Sequence, residues 1–354
     1  MGEPADLPDF SVAERDFSTV DKARLVSSLS RVLPAASLLH DLEDLRPYEC
    51  DGMSALRQVP MVVALPETET QVVEILKICA ALGVPVVARG AGTGLSGGAQ
   101  PHKFGLVLSL ARFKKIIRID AHARRAVVQP GVRNLAISEA AAPFGLYYAP
   151  DPSSQIACTI GGNVAENSGG VHCLKYGLTI HNLLKVRGVT IAGEIVEFGS
   201  LALDTPGYDL LPLVTGSEGM LAVVTEVTVK LTPKPQLAQC VLAAFDDVVK
   251  AGEAVAAVIA AGIIPAGLEM MDKPATAAVE PFVKAGYDLT AAAILARAGL
   301  ERWRTLVAHR TAATVLQKMR ERAEGDPRVR KEPAVMIEVV DWTETPVPRL
   351  SPVA

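Results

Sequence analysis

The sequence predicts an α+β fold, a mixed domain followed by a smaller second unit of the same class. Three observations carry that prediction. A strand–helix–strand stretch runs from Met61 to Ala88 and makes one βαβ unit. After Leu106 the pattern changes to short strands and turns, so the domain is mixed and not doubly wound. Pro233 and Pro235 then mark a linker, beyond which Val241–Phe245, an alanine-rich helix Ala251–Ala261 and Gly267–Met271 repeat the strand–helix–strand order.

Each element has a local reason. Asp21 is placed to cap a first helix whose Leu25, Val26, Leu29, Val32 and Leu33 recur at helical spacing, with Pro34 as its stop. Met61–Leu65 reads as a buried strand between prolines. Thr68 followed by Gln71 is a capping-box pattern. It opens a helix that buries Val72, Ile75, Leu76 and Cys79 and stops at Gly83. Val84–Ala88 is the next strand. Leu106–Leu110, Lys115–Ile119 and Ala126–Gln129 follow as strands, with a polar turn at 120–125 between the last two, and a helix is expected near Asn134–Ala142.

Glycine clusters interrupt this scaffold. Gly90, Gly92, Gly94, Gly97 and Gly98 fall within the run Arg89-Gly90-Ala91-Gly92-Thr93-Gly94-Leu95-Ser96-Gly97-Gly98. Such a run costs chain entropy and lets backbone N–H groups form a concave nest for an anion, most simply a pyrophosphate. Gly92 to Gly97 matches G-x-G-x-x-G, but the nicotinamide fingerprint requires a helix to open there. Pro101 and the strand-like Leu106–Leu110 follow instead, so a phosphate loop between two strands is the better reading. A second cluster reads as small polar loops: Pro150-Asp151-Pro152-Ser153-Ser154, then Thr159-Ile160-Gly161-Gly162-Asn163 through Gly170. Its side chains supply room, donors and acceptors for a flat heteroaromatic ligand. Thr215-Gly216-Ser217-Glu218-Gly219-Met220 is the third, a turn before the strand-like Leu221–Val229.

Composition bounds the rest. The 354 residues suffice for two domains. Hydrophobic residues at 49% and charged residues at 21% are an ordinary globular balance, and a net charge of −4 gives no case for a nucleic-acid surface. The five cysteines (Cys50, Cys79, Cys158, Cys173, Cys240) are scattered and lack C-x-x-C spacing. Neither a disulfide framework nor a zinc site is expected, and a reducing, cytoplasmic setting is. The N-terminus has no apolar signal-peptide core. The longest apolar run, Ala254 to Leu268, contains Gly262 and Pro265 and falls short of the roughly 18 to 20 residues of a membrane span, so no transmembrane segment is expected.

The three clusters together resemble the flavin-binding domain of the vanillyl-alcohol oxidase family, the p-cresol methylhydroxylase (PCMH) type. The nearest pattern is that of glycolate oxidase D-subunits with their D-lactate and D-2-hydroxyglutarate dehydrogenase relatives. The resemblance runs from about Tyr48 to about Leu295 and implies a two-subdomain FAD-binding domain followed by an incomplete α+β cap (substrate) domain. The expected divisions are a helical segment 1–47, the FAD domain 48–233, a partial cap 236–295 and a divergent tail 296–354.

Residue by residue, the resemblance implies that Arg89, Gly90, Ala91, Gly92, Thr93 and Gly94 hold the FAD pyrophosphate through backbone N–H groups. Pro150, Asp151, Ser153, Thr159, Gly161, Gly162 and Asn163 line the flavin and ribityl region, and Ala165 and Asn167 continue that wall. Glu218, Gly219 and the backbone around Val223 and Val224 meet the adenosine end. Some relatives attach FAD through a histidine in the first loop; Gly90 to Gly94 contain none, so FAD is expected to be non-covalent. The implied reaction oxidises a 2-hydroxy acid, glycolate or D-lactate, passing hydride to the flavin while a base takes the hydroxyl proton. Partner subunits carrying a second flavin and iron–sulfur clusters are implied as well, with a cytoplasmic location peripheral to the inner membrane through those partners.

The family's histidine-containing metal and base motif is missing, so no catalytic residue and no metal ligand is assigned. After Ala292-Ala293-Ile294-Leu295 the family pattern stops and the chain becomes arginine-rich, with His309 its only histidine, which we read as a shifted reading frame or misassembled terminus. A non-catalytic FAD-binding remnant is therefore the rival expectation. An enolpyruvyl reductase of cell-wall synthesis, which shares the flavin fold, is a third. Among other residues, His172 and Cys173 are placed near the flavin loops, His181 and Asn182 read as local hydrogen-bonders, Glu269 as a cavity residue of the second unit, and Lys114, Lys115 and Arg118 as a solvated face.

Overall fold

The structure, a computed structural model, describes residues 16–201, 207–235, 240–245, 248–262, 264–272 and 335–340. Its first layer contains α1 (Lys22–Leu29), β1 (Leu38–Leu39), α2 (Leu42–Leu45), β2 (Val62–Ala64), α3 (Glu69–Leu82), β3 (Val86–Arg89) and β4 (Leu106–Ser109). Helix α3 begins with the expected capping box: Thr68 Oγ1 accepts from the Gln71 N–H at 3.3 Å while Gln71 Oε1 accepts from the Thr68 N–H at 3.3 Å. It ends at Gly83, whose left-handed φ of 66° is open to glycine without penalty. Val72, Ile75, Leu76 and Cys79 form its buried stripe, packed with Leu25 and Leu29 of α1.

Two expectations need correction here. Helix α1 stops at Leu29, beyond which the N–H groups of Arg31 and Val32 turn back to the Ser28 and Leu29 carbonyls in tighter i→i−3 bonds; Leu33 stays buried all the same. The strands flanking α3 are not neighbours. The sheet order is β1-β2-β4-β3, with β4 inserted in parallel between β2 and β3. Strand β1 pairs with β2, which joins the segment before residue 48 to this layer.

The second layer is built from β5 (Ile116–Asp120), β6 (Arg125–Val128), α4 (Asn134–Ala141), β7 (Leu146–Tyr147), α5 (Ile160–Glu166), α6 (Cys173–Tyr176), β8 (Leu183–Val189), β9 (Ile195–Gly199), α7 (Leu211–Val214), β10 (Val223–Lys230) and β11 (Thr232–Pro233). Its five-stranded sheet is antiparallel throughout in the order β5-β6-β10-β8-β9. Alternate residues of β10, Val227 and Val229, are fully buried against Ile137 and Ala141 of α4 and Ile160 and Val164 of α5. The layers are tied by Arg187 of β8, whose Nε and Nη2 donate to both carboxylate oxygens of Glu69 in α3 at 2.9 Å each. Thr225 Oγ1 adds a third bond to Glu69 Oε1 at 2.7 Å.

The second unit contains β12 (Cys240–Phe245), α8 (Val248–Ala260), β13 (Gly267–Asp272) and β14 (Val335–Val340). β14 lies between β12 and β13, antiparallel to both. The expected boundary at 295/296 and His309 lie outside the described residues.

Candidate cofactor site

A cavity of about 240 Å³ opens between the two layers, and all three glycine clusters reach it. Strand β3 delivers the first. The adjacent strand β4 is parallel to β3, so the chain has to cross back over the sheet before entering it, and it does so through residues 90–105 without opening a helix at the glycines. Among the described residues no acceptor takes the backbone N–H groups of Gly90, Ala91, Gly92, Thr93 or Gly94. Gly92, at φ 68°, lies over the buried Arg89 guanidinium, which a Cβ would strike. A Cβ on Gly90 would collide with Thr159 Oγ1, one on Gly94 with Glu166 Oε1, and one on Gly98 with Glu218 Oε2. At Gly90 the obstacle is the short Thr159 side chain, while at Gly92, Gly94 and Gly98 it is the end of a long side chain that a Cβ would displace.

The second cluster forms the facing wall. Its glycines suggested loops, yet Ile160–Glu166 is helix α5. Ile160 and Val164 recur at i, i+4 and bury fully, which outweighs the poor helix propensity of Gly161 and Gly162. Asn167, at φ 52°, ends the helix. Thr159 stands at the N-cap position but makes no cap bond; its hydroxyl and that of Ser168 are buried with no partner among the described residues. Asn163 is fixed by the Asn134 side chain, whose Nδ2 donates to Asn163 Oδ1 at 3.0 Å and to the Pro150 carbonyl at 3.1 Å.

The third cluster docks on this wall through backbone alone. The Gly216 N–H donates to the Val164 carbonyl and the Glu218 N–H to the Ala165 carbonyl, both at 2.8 Å. Glu218 takes a left-handed φ of 53° and projects its carboxyl at Gly98. Burial pushes that carboxyl above its ordinary range, and the nearby Glu166 and Asp51 push it the same way.

Residues 60–199 match the family model for an FAD binding domain, and residues 234–348 match that for the C-terminal domain of FAD linked oxidases. The chain is 61% identical over 276 residues to the glycolate oxidase subunit GlcD of Escherichia coli K12, a match covering 78% of this chain and 55% of that protein. The chain belongs to the FAD-linked oxidase family. GlcD of Bacillus subtilis is 42% identical over 70% of this chain and 53% of its own. The D-lactate dehydrogenase of Archaeoglobus fulgidus is 38% identical over 60% of this chain and 48% of its own. The chain thus spans about half the length of the curated relatives it matches. In structure, alkyldihydroxyacetonephosphate synthase aligns with a TM-score of 0.69 over 90% of this chain and 55% of that one, at 18% identity, which establishes a shared fold.

FAD is the cofactor of this chain, and the cleft fits it on three counts: a glycine-rich rim where the backbone lies close to its neighbours, N–H donors unengaged among the described residues and suited to a pyrophosphate, and two buried hydroxyls without a partner there. Of the residues expected at the cofactor, Arg89 through Gly94, Ser153, Thr159, Gly161, Gly162, Asn163, Ala165, Glu218, Gly219 and Val224 line the cleft. Four stand behind it. Pro150 is buried and accepts from Asn134, and Asn167 Oδ1 accepts from the Ile180 N–H at 3.0 Å. Val223 faces the opposite core beside Val189, as strand alternation from Val224 requires. Asp151 pairs with His172 at 2.6 Å.

Cys158, Glu166 and Ser168 also line the cleft and escaped the sequence reading. Glu166 and Ser168 lay inside a quoted motif, and Glu166 follows Gly162 by one helical turn, so the helix itself was the missing signal. His172 and Cys173 do not reach the cleft: Cys173 Sγ accepts from the Gly170 N–H at 2.8 Å. His181 and Asn182 are local hydrogen-bonders as expected, to the Leu178 N–H and to the Tyr176 and Leu178 carbonyls respectively. Arg118 pairs with Asp120 on the surface. Glu269 stands opposite Glu338 in the β13–β14 register. Among the described residues no cluster of His, Cys, Asp and Glu is arranged to hold a metal ion, and no helix is long and apolar enough to cross a membrane.

Proposed function

We propose that this chain oxidises a small 2-hydroxy acid, glycolate or D-lactate foremost, to the 2-oxo acid with non-covalently held FAD. The observation that carries the proposal is the facing of the unengaged N–H groups at 90–94 and the unpartnered Thr159 hydroxyl across one cleft, in a chain 61% identical to a glycolate oxidase subunit. When bound, FAD supplies the hydride acceptor. The chain's own part is to neutralise the pyrophosphate by backbone donors and to hold apolar walls, such as Leu110, Pro130 and Val224, where water would otherwise stand.

The GlcD relatives are named as subunits, which supports partners for this chain: a second flavin subunit and an iron–sulfur subunit that take the electrons onward. Placement in the cytoplasm, peripheral to the inner membrane through those partners, follows from the same reading. The described cleft lining contains no histidine, and no residue in it is assigned as the base. The arginine-rich run after Leu295 is read as a shifted frame, against which stands the match to the C-terminal domain of FAD linked oxidases, which runs on to residue 348; sequencing the coding region decides this, and an uninterrupted frame refutes it.

The test of the activity is anaerobic. Glycolate or D-lactate added to the yellow purified chain bleaches the flavin absorbance if the proposal holds. A flavin that stays oxidised with both acids refutes it and leaves a cofactor-binding remnant.

A further inference from the structure

The donors at 90–94 are unengaged, so they do nothing to hold their own loop. A five-glycine loop loses much chain entropy when fixed, and a ligand that has to order it binds more weakly. Something else must hold it. The structure shows what does: a turn that precedes residue 60, where the FAD-domain match begins. Arg89 is buried and its Nη1 donates to the Cys50 carbonyl at 2.8 Å, while its guanidinium lies 5.6 Å from the centre of the Tyr48 ring. At the far end of the loop the Gly52 N–H donates to the Gly94 carbonyl at 2.9 Å. A Cβ on Gly52 would come within 2.7 Å of that carbonyl oxygen and 2.9 Å of the Thr93 oxygen. The turn is itself closed by Asp51 Oδ1, which accepts from the Met53 N–H at 2.8 Å.

We propose that the turn 48–53 is a clamp that presets the cofactor loop: Arg89 grips its start, Gly52 grips its end, and the carbonyls are held so that the N–H groups converge on the pyrophosphate. Arg89 and Gly52 are thus positioning residues. The inference rests on the reading that the pyrophosphate lies along 90–94. It explains why a buried arginine at the cofactor loop spends a donor on Cys50, and why residue 52 has to be glycine although its φ is not left-handed.

The test uses the full chain freed of flavin, with FAD and ADP titrated into wild type, Gly52→Ala, Arg89→Lys and Gly162→Ala. Arg89→Lys keeps the charge but loses the planar fork. A displaced loop forfeits one or two charge-assisted hydrogen bonds, so Gly52→Ala and Arg89→Lys each weaken FAD and ADP about tenfold or more, by the same factor. The visible spectrum at saturating FAD stays that of wild type, because only the pyrophosphate half has moved. Unchanged affinity for both ligands in both variants overturns the clamp, even if melting temperatures fall, since a merely structural role lowers stability alone. If Gly52→Ala does not fold, Arg89→Lys decides. Should Gly162→Ala weaken FAD while both clamp variants bind normally, the clamp alone fails. Should all three bind normally, the placement of the cofactor fails with it.

Discussion

Replacing Gly162 with alanine separates the stability of the fold from its affinity for the cofactor. Gly162 lies inside helix α5 and has no left-handed φ. A Cβ there meets only Thr159 Oγ1, at 3.6 Å, which is ordinary contact. Alanine is therefore expected to gain the helix-propensity difference of about 0.5–1 kcal/mol. At about 2–4 °C per kcal/mol for a domain of this size, the flavin-free chain melts about 1–4 °C higher. The same methyl group enters the cleft next to the Gly90 rim, from which the Gly162 nitrogen is 3.6 Å when a Cβ is placed on Gly90. A pyrophosphate pushed off one N–H donor loses roughly 1.5–3 kcal/mol, so FAD affinity falls about tenfold to a hundredfold. Thermal melting of the flavin-free chain and titration by flavin fluorescence quenching read the two effects separately. A variant that is stabilised yet binds FAD as tightly as wild type would refute the placement of the cofactor against α5. A destabilised variant would refute the open space inferred at Gly162.

Thr159→Val removes a buried hydroxyl that neither caps α5 nor finds a partner among the described residues, so the flavin-free chain melts no lower while FAD affinity falls about tenfold, both read by the same two assays. Glu69→Gln breaks the bidentate link between the layers and costs about 1–2 kcal/mol at neutral pH, measured by urea unfolding. The Arg187 guanidinium holds the Glu69 carboxyl below its ordinary value of 4.5, so this stability is present above that pH and lost as pH falls through the depressed value; the variant and wild type converge in acid. Glu218 has the opposite sign. Burial raises its carboxyl, so its contribution is present at low pH and lost as pH rises through the raised value. Glu218→Gln accordingly raises the melting temperature of the flavin-free chain at pH 7.5 and leaves it unchanged at pH 4.

Much of this was legible in residue order. The Thr68–Gln71 capping box, the stripe Val72–Cys79 and the stop at Gly83 are local instructions, and α3 obeys all of them. The absence of a helix after Gly97 followed from Pro101 and the strand-like run beyond it, and residues 90–105 do cross back to β4 as a loop. Three things were hidden because they are not local. The insertion of β4 between β2 and β3 is a matter of strand order, which periodicity does not encode. Helix α5 was obscured by two glycines, since the burial of Ile160 and Val164 that pays for them exists only once the sheet is assembled. The exclusion of Pro150, Asp151, Asn167 and Val223 from the cleft depends on partners elsewhere, Asn134, His172, the Ile180 N–H and the core around Val189, none of which their own motif announces.

Hydrogen–deuterium exchange of the full chain with and without FAD reads the cleft itself, because among the described residues no acceptor takes the backbone N–H groups at 90–94 or at Gly162. FAD is expected to slow exchange in the peptides covering 90–94 and 159–163 more than anywhere else in the described chain. Bound flavin with no added protection in those two segments would contradict it.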